Sequence, residues 1–327
     1  MRPPGFWDRG GLPATLLAPL GAITAAATAR RVARPGWRAP VAVFCCGNVT
    51  VGGAGKTVVA LDLLARLAAR GAAPAALTRG YGGRERGPLR VDPARHDAAA
   101  VGDEALLLAA RAPTWLGRDR AETARLAVAA GAGALVMDDG LQNPTLVQDC
   151  ALLVVDGGSG FGNGRLLPAG PLREPIARAA ARARAAVLIG EDRAGAAAAL
   201  PPGLALLRAR LVARGEGLAG ARVFAFAGLG RPEKFRASLA ELGAEVVGWR
   251  VFPDHHAYRA AELAALARAA GDRGARLVST AKDAVRLPPG LRERVTVVTV
   301  ALAWEAPEAL DALIDAVREE RAVLGGR

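Results

Sequence analysis

Histidine, cysteine and aromatic residues are scarce in this chain. It holds 3 His, 3 Cys and 2 Tyr, and aromatics make up only 4% of residues. The cysteines are Cys45, Cys46 and Cys150; none forms a CxxC pair, and the adjacent two sit in an apolar run. Nothing here supports a disulfide framework or a zinc site; a reducing compartment is the default, and the thiols read as core residues. With so few aromatic rings there is little to stack on nucleic-acid bases. No internal repeat is visible.

Apolar residues are plentiful. The 327 residues are 52% hydrophobic and 23% charged, which excludes a disordered polymer and allows a large core. At about 150 residues per domain, the length predicts two domains. Lys and Arg number 43 against 31 Asp and Glu, a net charge of +12 that suits an anionic partner. A nucleic-acid partner is one reading of that charge. No recognised nucleic-acid module accompanies it, however, and the arginines are scattered.

Residues 12–29 carry no charge, and Arg30, Arg31, Arg34 and Arg38 follow. The run is close to membrane-spanning length but is interrupted by Pro13, Pro19 and Gly21. Three readings stand open: a helix lying on a membrane surface, a buried helix, or a span. An export signal would carry its charge before the apolar run, not after it.

Short apolar runs at 41–46, 74–78, 133–138, 151–155 and 186–190 alternate with helical patterns such as 57–70 and 119–130. This alternation predicts an α/β fold: a parallel sheet with helices on both faces. A Gly-rich segment, 157–170, reads as an ordered functional loop because it contains Leu166, Leu167 and Pro168. Around 212–222 the chain turns polar. A second alternation then begins, with strands at 222–227, 245–251, 275–279 and 295–300 and helices at 232–242, 259–270 and 307–321. The expected division is 1–215, a nucleotide-binding unit with its N-terminal segment, and 216–327, a smaller α/β unit closing over the site.

The segment Gly47-Asn-Val-Thr-Val-Gly-Gly-Ala-Gly-Lys-Thr57 follows an apolar strand and opens a helix. A Gly-rich turn in that place turns backbone N–H groups toward phosphate, aided by the helix N-terminus. Thr50, Gly52, Gly53, Ala54 and Gly55 form the candidate cradle. Lys56 would reach the β- and γ-phosphates, and the Thr57 hydroxyl would bind Mg²⁺. The usual P-loop has Gly where this chain has Thr50, so a chance Gly-rich βα turn is the competing reading. A second strand ends in Asp138 and Asp139, where nucleotide-binding folds hold Mg²⁺; a simple turn-forming Asp is the alternative there. Val101-Gly-Asp103-Glu104 and Phe252-Pro-Asp254-His255-His256 add carboxylates and two of the three histidines, a combination suited to proton transfer. Two histidines supply too few ligands for a metal site of their own.

These segments, in order across nearly the whole chain, resemble the tetraacyldisaccharide 4′-kinases of lipid A synthesis. The resemblance rests on GNVTVGGAGKT (47–57), TRGYGG (78–83), VGDE (101–104), DDGLQ (138–142), GFGNGRLLPAGPLREP (160–175), FAGLGRPEKF (226–235), FPDHH (252–256) and TAKDAVR (280–286). It implies a membrane-associated kinase that uses ATP and Mg²⁺. Such an enzyme phosphorylates the 4′-hydroxyl of a tetraacylated glucosamine disaccharide 1-phosphate at the cytoplasmic face of the bacterial inner membrane. By the same resemblance, Lys56 and Thr57 belong to the phosphate and Mg²⁺ site, and Asp138 and Asp139 to the Mg²⁺ site. Asp103 and a His of FPDHH, with His255 favoured over His256, look like the base and its orienter. Glu174 looks like a polar contributor near the metal, and Gln142 and Arg173 carry over with it. Asn143 stands where the family often has His, so any imidazole role is lost there. Val58 and Ala105 each replace a common Pro, and Ala281 and Arg286 replace the usual Glu and Lys. The rival within the same fold is a soluble P-loop kinase or ATPase with another acceptor. Val51 counts against the partitioning-type ATPases, which carry Lys at that position.

Overall fold

The computed structural model describes residues 4–325. Twelve strands form one sheet: β1 Ala42–Gly47, β2 Pro74–Thr78, β3 Leu89–Arg90, β4 Thr114–Leu116, β5 Ala134–Asp138, β6 Cys150–Asp156, β7 Ala185–Ile189, β8 Ala205–Arg214, β9 Arg222–Ala227, β10 Glu245–Val251, β11 Arg276–Thr280 and β12 Thr296–Trp304. Their spatial order is β10-β9-β11-β12-β8-β7-β6-β1-β5-β2-β4-β3. Pairing is parallel except for β12 with β8 and β3 with β4. The β1, β2, β5, β6 and β7 strands are buried along their whole length, as continuous apolar runs in a sheet covered on both faces should be.

Two cores flank the half of the sheet around β1. One packs Val59, Leu63, Leu64 and Leu67 of the Lys56–Ala69 helix with Phe44, Val136, Leu152 and Val187. The other packs Val43, Leu77, Met137 and Leu153 under Ala124 and Ala127 of the Arg120–Ala129 helix. The three cysteines are free and buried, as their apolar neighbours predict.

β1 pairs with β5 on one side and β6 on the other, and the chain leaves it in opposite directions. Such a switch point opens a crevice beyond the carboxyl ends of the strands, where ligands of open α/β sheets bind. The loop after β1 and the acidic end of β5 both lie at that crevice.

The polar stretch at 212–222 is only partly a connection. β8 runs through Arg214 and pairs antiparallel with β12, which extends to Trp304. β8 is absent from the sequence reading because its arginines, Arg208, Arg210 and Arg214, alternate with half-buried and buried residues, an edge-like pattern with little apolar signal. The sheet is therefore continuous across the expected division near 215. The Pro307–Gly325 helix returns to the first half, placing Leu310, Ile314 and Val317 in the core around the Lys56–Ala69 helix. Arg66 and Arg70 of that helix bond Asp311 at 2.8 and 2.6 Å.

The uncharged N-terminal run forms one helix, Leu12–Val32. Only Ala14, Gly21 and Thr28 are buried, a narrow stripe at seven-residue spacing. Gly21 lies against Leu166: an added Cβ would meet that side chain at 3.1 Å. Thr24 and Thr28 donate to the carbonyls of Leu167 and Arg173 at 2.7 and 3.1 Å. Trp7 donates to the Pro168 carbonyl at 3.0 Å. The 157–170 loop is thus ordered and seats the helix. The buried-helix reading does not hold, because Leu12, Leu16 and Ile23 are 74%, 71% and 66% exposed. Among the described residues this is the one helix long and apolar enough to cross a membrane.

Candidate active site

The loop after β1 is anchored from below. Val51 donates to the Pro171 carbonyl at 2.9 Å, Arg173 donates to the Val49 carbonyl at 2.7 Å, and Thr50 bridges Leu172. Thr50 also accepts from the Asn48 amide at 3.0 Å, so the hydroxyl that replaces the usual Gly ties the loop to its own base. Gly52 and Gly53 stand in open space, and Ala54 is buried. Gly55 ends the loop at the helix start with φ +87°, a left-handed conformation that favours glycine. The 14-residue Lys56–Ala69 helix then points its free N–H groups into the crevice.

Lys56 folds back over the loop, 3.4 Å from the Gly52 carbonyl and 3.8 Å from Asp139 Oδ1. Thr57 donates to Asp138 Oδ2 at 3.0 Å. The other oxygen of Asp138 is buried with no partner. Burial first, then repulsion from Glu104 and Asp139, pushes the Asp138 carboxyl up to about 7. For Asp139, burial acts in the same direction but is outweighed by Lys56 and Arg173, which hold its carboxyl below the usual range. Arg173 bonds Asp139 at 2.9 Å, and Asp139 itself has φ +52°, a strained conformation for a non-glycine residue.

Glu174 is placed differently from Asp138. It is buried, its two oxygens each lie 2.9 Å from Arg182, and it accepts from Gln142 at 2.9 Å. Gln142 in turn donates to the Asn48 carbonyl at 2.9 Å, so Glu174 braces the root of the phosphate loop. Among the described residues no three His, Cys, Asp or Glu side chains converge as a metal cage. Asp138, Asp139 and Glu174 therefore do not form a three-carboxylate site. Asp139 is bound to two cations and Glu174 to a third. The pair Thr57–Asp138, with its orphaned buried oxygen, does fit a small hard cation that takes its other ligands from phosphate and water.

Asp103 and His255 meet although 152 residues separate them: His255 Nδ1 is 2.8 Å from Asp103 Oδ2. Asp103 is 5% exposed and starts the short helix Asp103–Ala109. Gly102 before it has φ +86° and would clash with the Tyr81 carbonyl at 2.3 Å if it carried a Cβ. That contact presses the Asp103 turn against the TRGYGG loop. His255 has φ +59°, and its backbone N–H bonds Asp254 Oδ1 at 3.1 Å. The Tyr81 ring stands edge-on to the imidazole at 6.3 Å, with Arg79 over Tyr81 at 5.6 Å. His256 turns the other way, bonding Glu262 at 3.0 Å and stacking on Phe252 at 4.7 Å. The two histidines are thus separated by position, one beside Asp103 and one in a helix-capping cluster. Arg286 also reaches Asp103, at 3.5 Å. The sequence pointed to Arg286 only as a departure from the family, and to Arg182 not at all, since it sits in an Ala/Arg run without pattern.

A phosphate loop at the switch point of a parallel sheet, with a strand-end carboxylate bonded to the loop's threonine, defines a P-loop nucleotide-binding protein. Arg79, Lys56 and Arg173 give its mouth the positive field a polyphosphate needs. The chain belongs to the LpxK family, tetraacyldisaccharide-1-P 4′-kinase, whose family model matches residues 13–319. It is 60% identical over 319 residues to the tetraacyldisaccharide 4′-kinase of Gluconacetobacter diazotrophicus, covering 96% of this chain and 98% of that one. The enzyme of the same name from Rhodospirillum centenum is 55% identical over 324 residues, with 96% of each chain covered. The fold is similar to that of LpxK from Aquifex aeolicus crystallised in complex with ATP. That comparison gives a TM-score of 0.76 at 25% identity over 94% of this chain and 100% of the other.

Proposed function

We infer that this protein transfers the γ-phosphate of ATP to the 4′-hydroxyl of a tetraacylated glucosamine disaccharide 1-phosphate. The observation that carries the reading is the meeting of Asp103 and His255 beside a complete phosphate loop, in a chain that belongs to this family. Phosphoryl transfer asks for positioning and charge neutralisation more than for covalent chemistry.

The loop amides and Lys56 bind the polyphosphate. Lys56 exchanges the Gly52 carbonyl for phosphate oxygens, while Asp139 and Arg173 keep it aimed. Thr57 and Asp138 would hold Mg²⁺, the fit being the unpartnered Asp138 oxygen. When bound, Mg²⁺ neutralises charge on the β- and γ-phosphate oxygens. Asp103 holds His255 by Nδ1, which leaves Nε2 as the open proton acceptor for the sugar hydroxyl. The Asp103–His255 contact joins the two halves of the chain, so catalysis needs the acceptor hydroxyl brought to Nε2 of that pair.

The Leu12–Val32 helix, with its exposed leucines and trailing arginines, would lie on the cytoplasmic face of the inner membrane and give access to a lipid acceptor. The test is direct: purified protein, Mg-ATP and the detergent-solubilised disaccharide 1-phosphate should yield a new phosphate ester on the lipid. Phosphate on a soluble acceptor and none on the lipid would overturn the reading.

A further inference from the structure

Arg286 is buried among acids and carbonyls. Its side chain is 4% exposed. Its Nη2 donates to Asp283 at 2.8 Å and to the Gly228 carbonyl at 3.0 Å, and its Nη1 to the His256 carbonyl at 3.1 Å. Its Nε donates to the Lys282 carbonyl at 3.2 Å and lies 3.5 Å from Asp103 Oδ2. The oxygen of Asp103 that faces Arg286 is the one that binds His255.

A buried carboxylate needs a cation or must take up a proton. Asp103 has two partners in reach, the imidazole of His255 and the guanidinium of Arg286. Only the guanidinium is charged at every working pH. The other charged groups here are committed or more distant. Asp283 is satisfied by Tyr258, Thr280 and the Gly228 amide as well as Arg286. Asp254 stands 3.8 Å from His255 Nε2 and 4.0 Å from Lys282, and Glu262 serves His256.

We propose that Arg286 is a positioning residue that holds Asp103 as a carboxylate, so that the Asp103–His255 pair carries a single proton, on Nδ1, with Nε2 open. This rests on the reading of that pair as the group that receives the hydroxyl proton. Without the guanidinium, the buried carboxylate would draw a second proton onto the pair and close the acceptor. Arg286 also fixes the carbonyl of His256, next to the strained His255 turn, so its charge and its geometry act on the same residue.

The experiment is a set of pH–rate profiles for wild type, R286M, R286K and H255A in the full chain. R286M should lose about 10²-fold in kcat at neutral pH, the low end of what a general base supplies, and recover as pH rises. Its acid limb then lies at higher pH than in wild type, with KM for ATP unchanged. R286K keeps the charge and should keep the wild-type limb at a reduced kcat. A loss in R286M by the same factor at every pH overturns the proposal and leaves the pair itself intact. Wild-type kcat in H255A would instead sink the underlying reading. Should R286M not fold, R286K decides: the wild-type acid limb at reduced kcat supports the proposal, and a limb displaced although the charge is kept refutes it.

Discussion

Lys56 opens the phosphate-loop helix, and its ammonium rests between the Gly52 carbonyl and Asp139, outside the apolar core. K56A should therefore keep the fold and lose most turnover, because the ammonium serves charge that develops on the phosphates. A folded variant with near wild-type kcat would remove Lys56 from the site. Asp138 carries a pH signature of its own. Its carboxyl is raised to about 7 in the folded chain, so the native state holds a proton that the unfolded state releases near the ordinary Asp value. Stability of the nucleotide-free protein should fall as pH rises from about 4 to 7, and D138N should flatten that fall. Thermal melts across that range check it; identical slopes would show that the unpartnered oxygen costs nothing. For the proton-accepting pair, D103A and H255A should each lose about 10²–10⁴-fold in kcat with little change in KM for ATP. Their losses should not multiply in the double variant, and H256A should cost less than H255A. At this scale the sequence was legible where chemistry and spacing coincide, as in Lys56, Thr57 and Asp138. The choice between His255 and His256 was not legible. It depends on a left-handed turn at His255 and on a carboxylate brought from 152 residues away. The place of Glu174 was equally hidden, since its partner Arg182 looks like any other arginine in an Ala-rich run.

Among the elements, the 21-residue Leu12–Val32 helix buries only Ala14, Gly21 and Thr28. Its apolar residues Leu12, Leu16, Leu20 and Ile23 face outward, while small residues meet the 157–170 loop. Deleting residues 1–30 should weaken binding to anionic liposomes and raise KM for the lipid more than for ATP, because it removes the exposed apolar face. Equal partitioning of truncated and full-length protein would leave the helix without a membrane role. Composition alone showed the helix but not its exposure, because Ala, Gly and Thr serve equally as packing surface or as filler. The strands of the central sheet were plain in the sequence, since burial on both faces demands unbroken apolar runs. β8 was not, because a strand lying between a parallel and an antiparallel neighbour there alternates arginine with apolar residues.

Across the whole molecule, the chain is stitched by its end. The Pro307–Gly325 helix covers the apolar side of the phosphate-loop helix and clamps Arg66 and Arg70 through Asp311 and Asp315. The ion pairs are partly solvated and contribute little each; the buried Leu310, Ile314 and Val317 dominate. A chain truncated before residue 307 lacks this helix. Without it, Leu63, Leu64 and Leu67 lack part of their cover. Such a truncated chain should therefore be sticky and be recovered as aggregate or degradation product, which its soluble yield beside that of the full chain checks. Loss of this helix is therefore expected to read as loss of soluble protein before it reads as loss of catalysis.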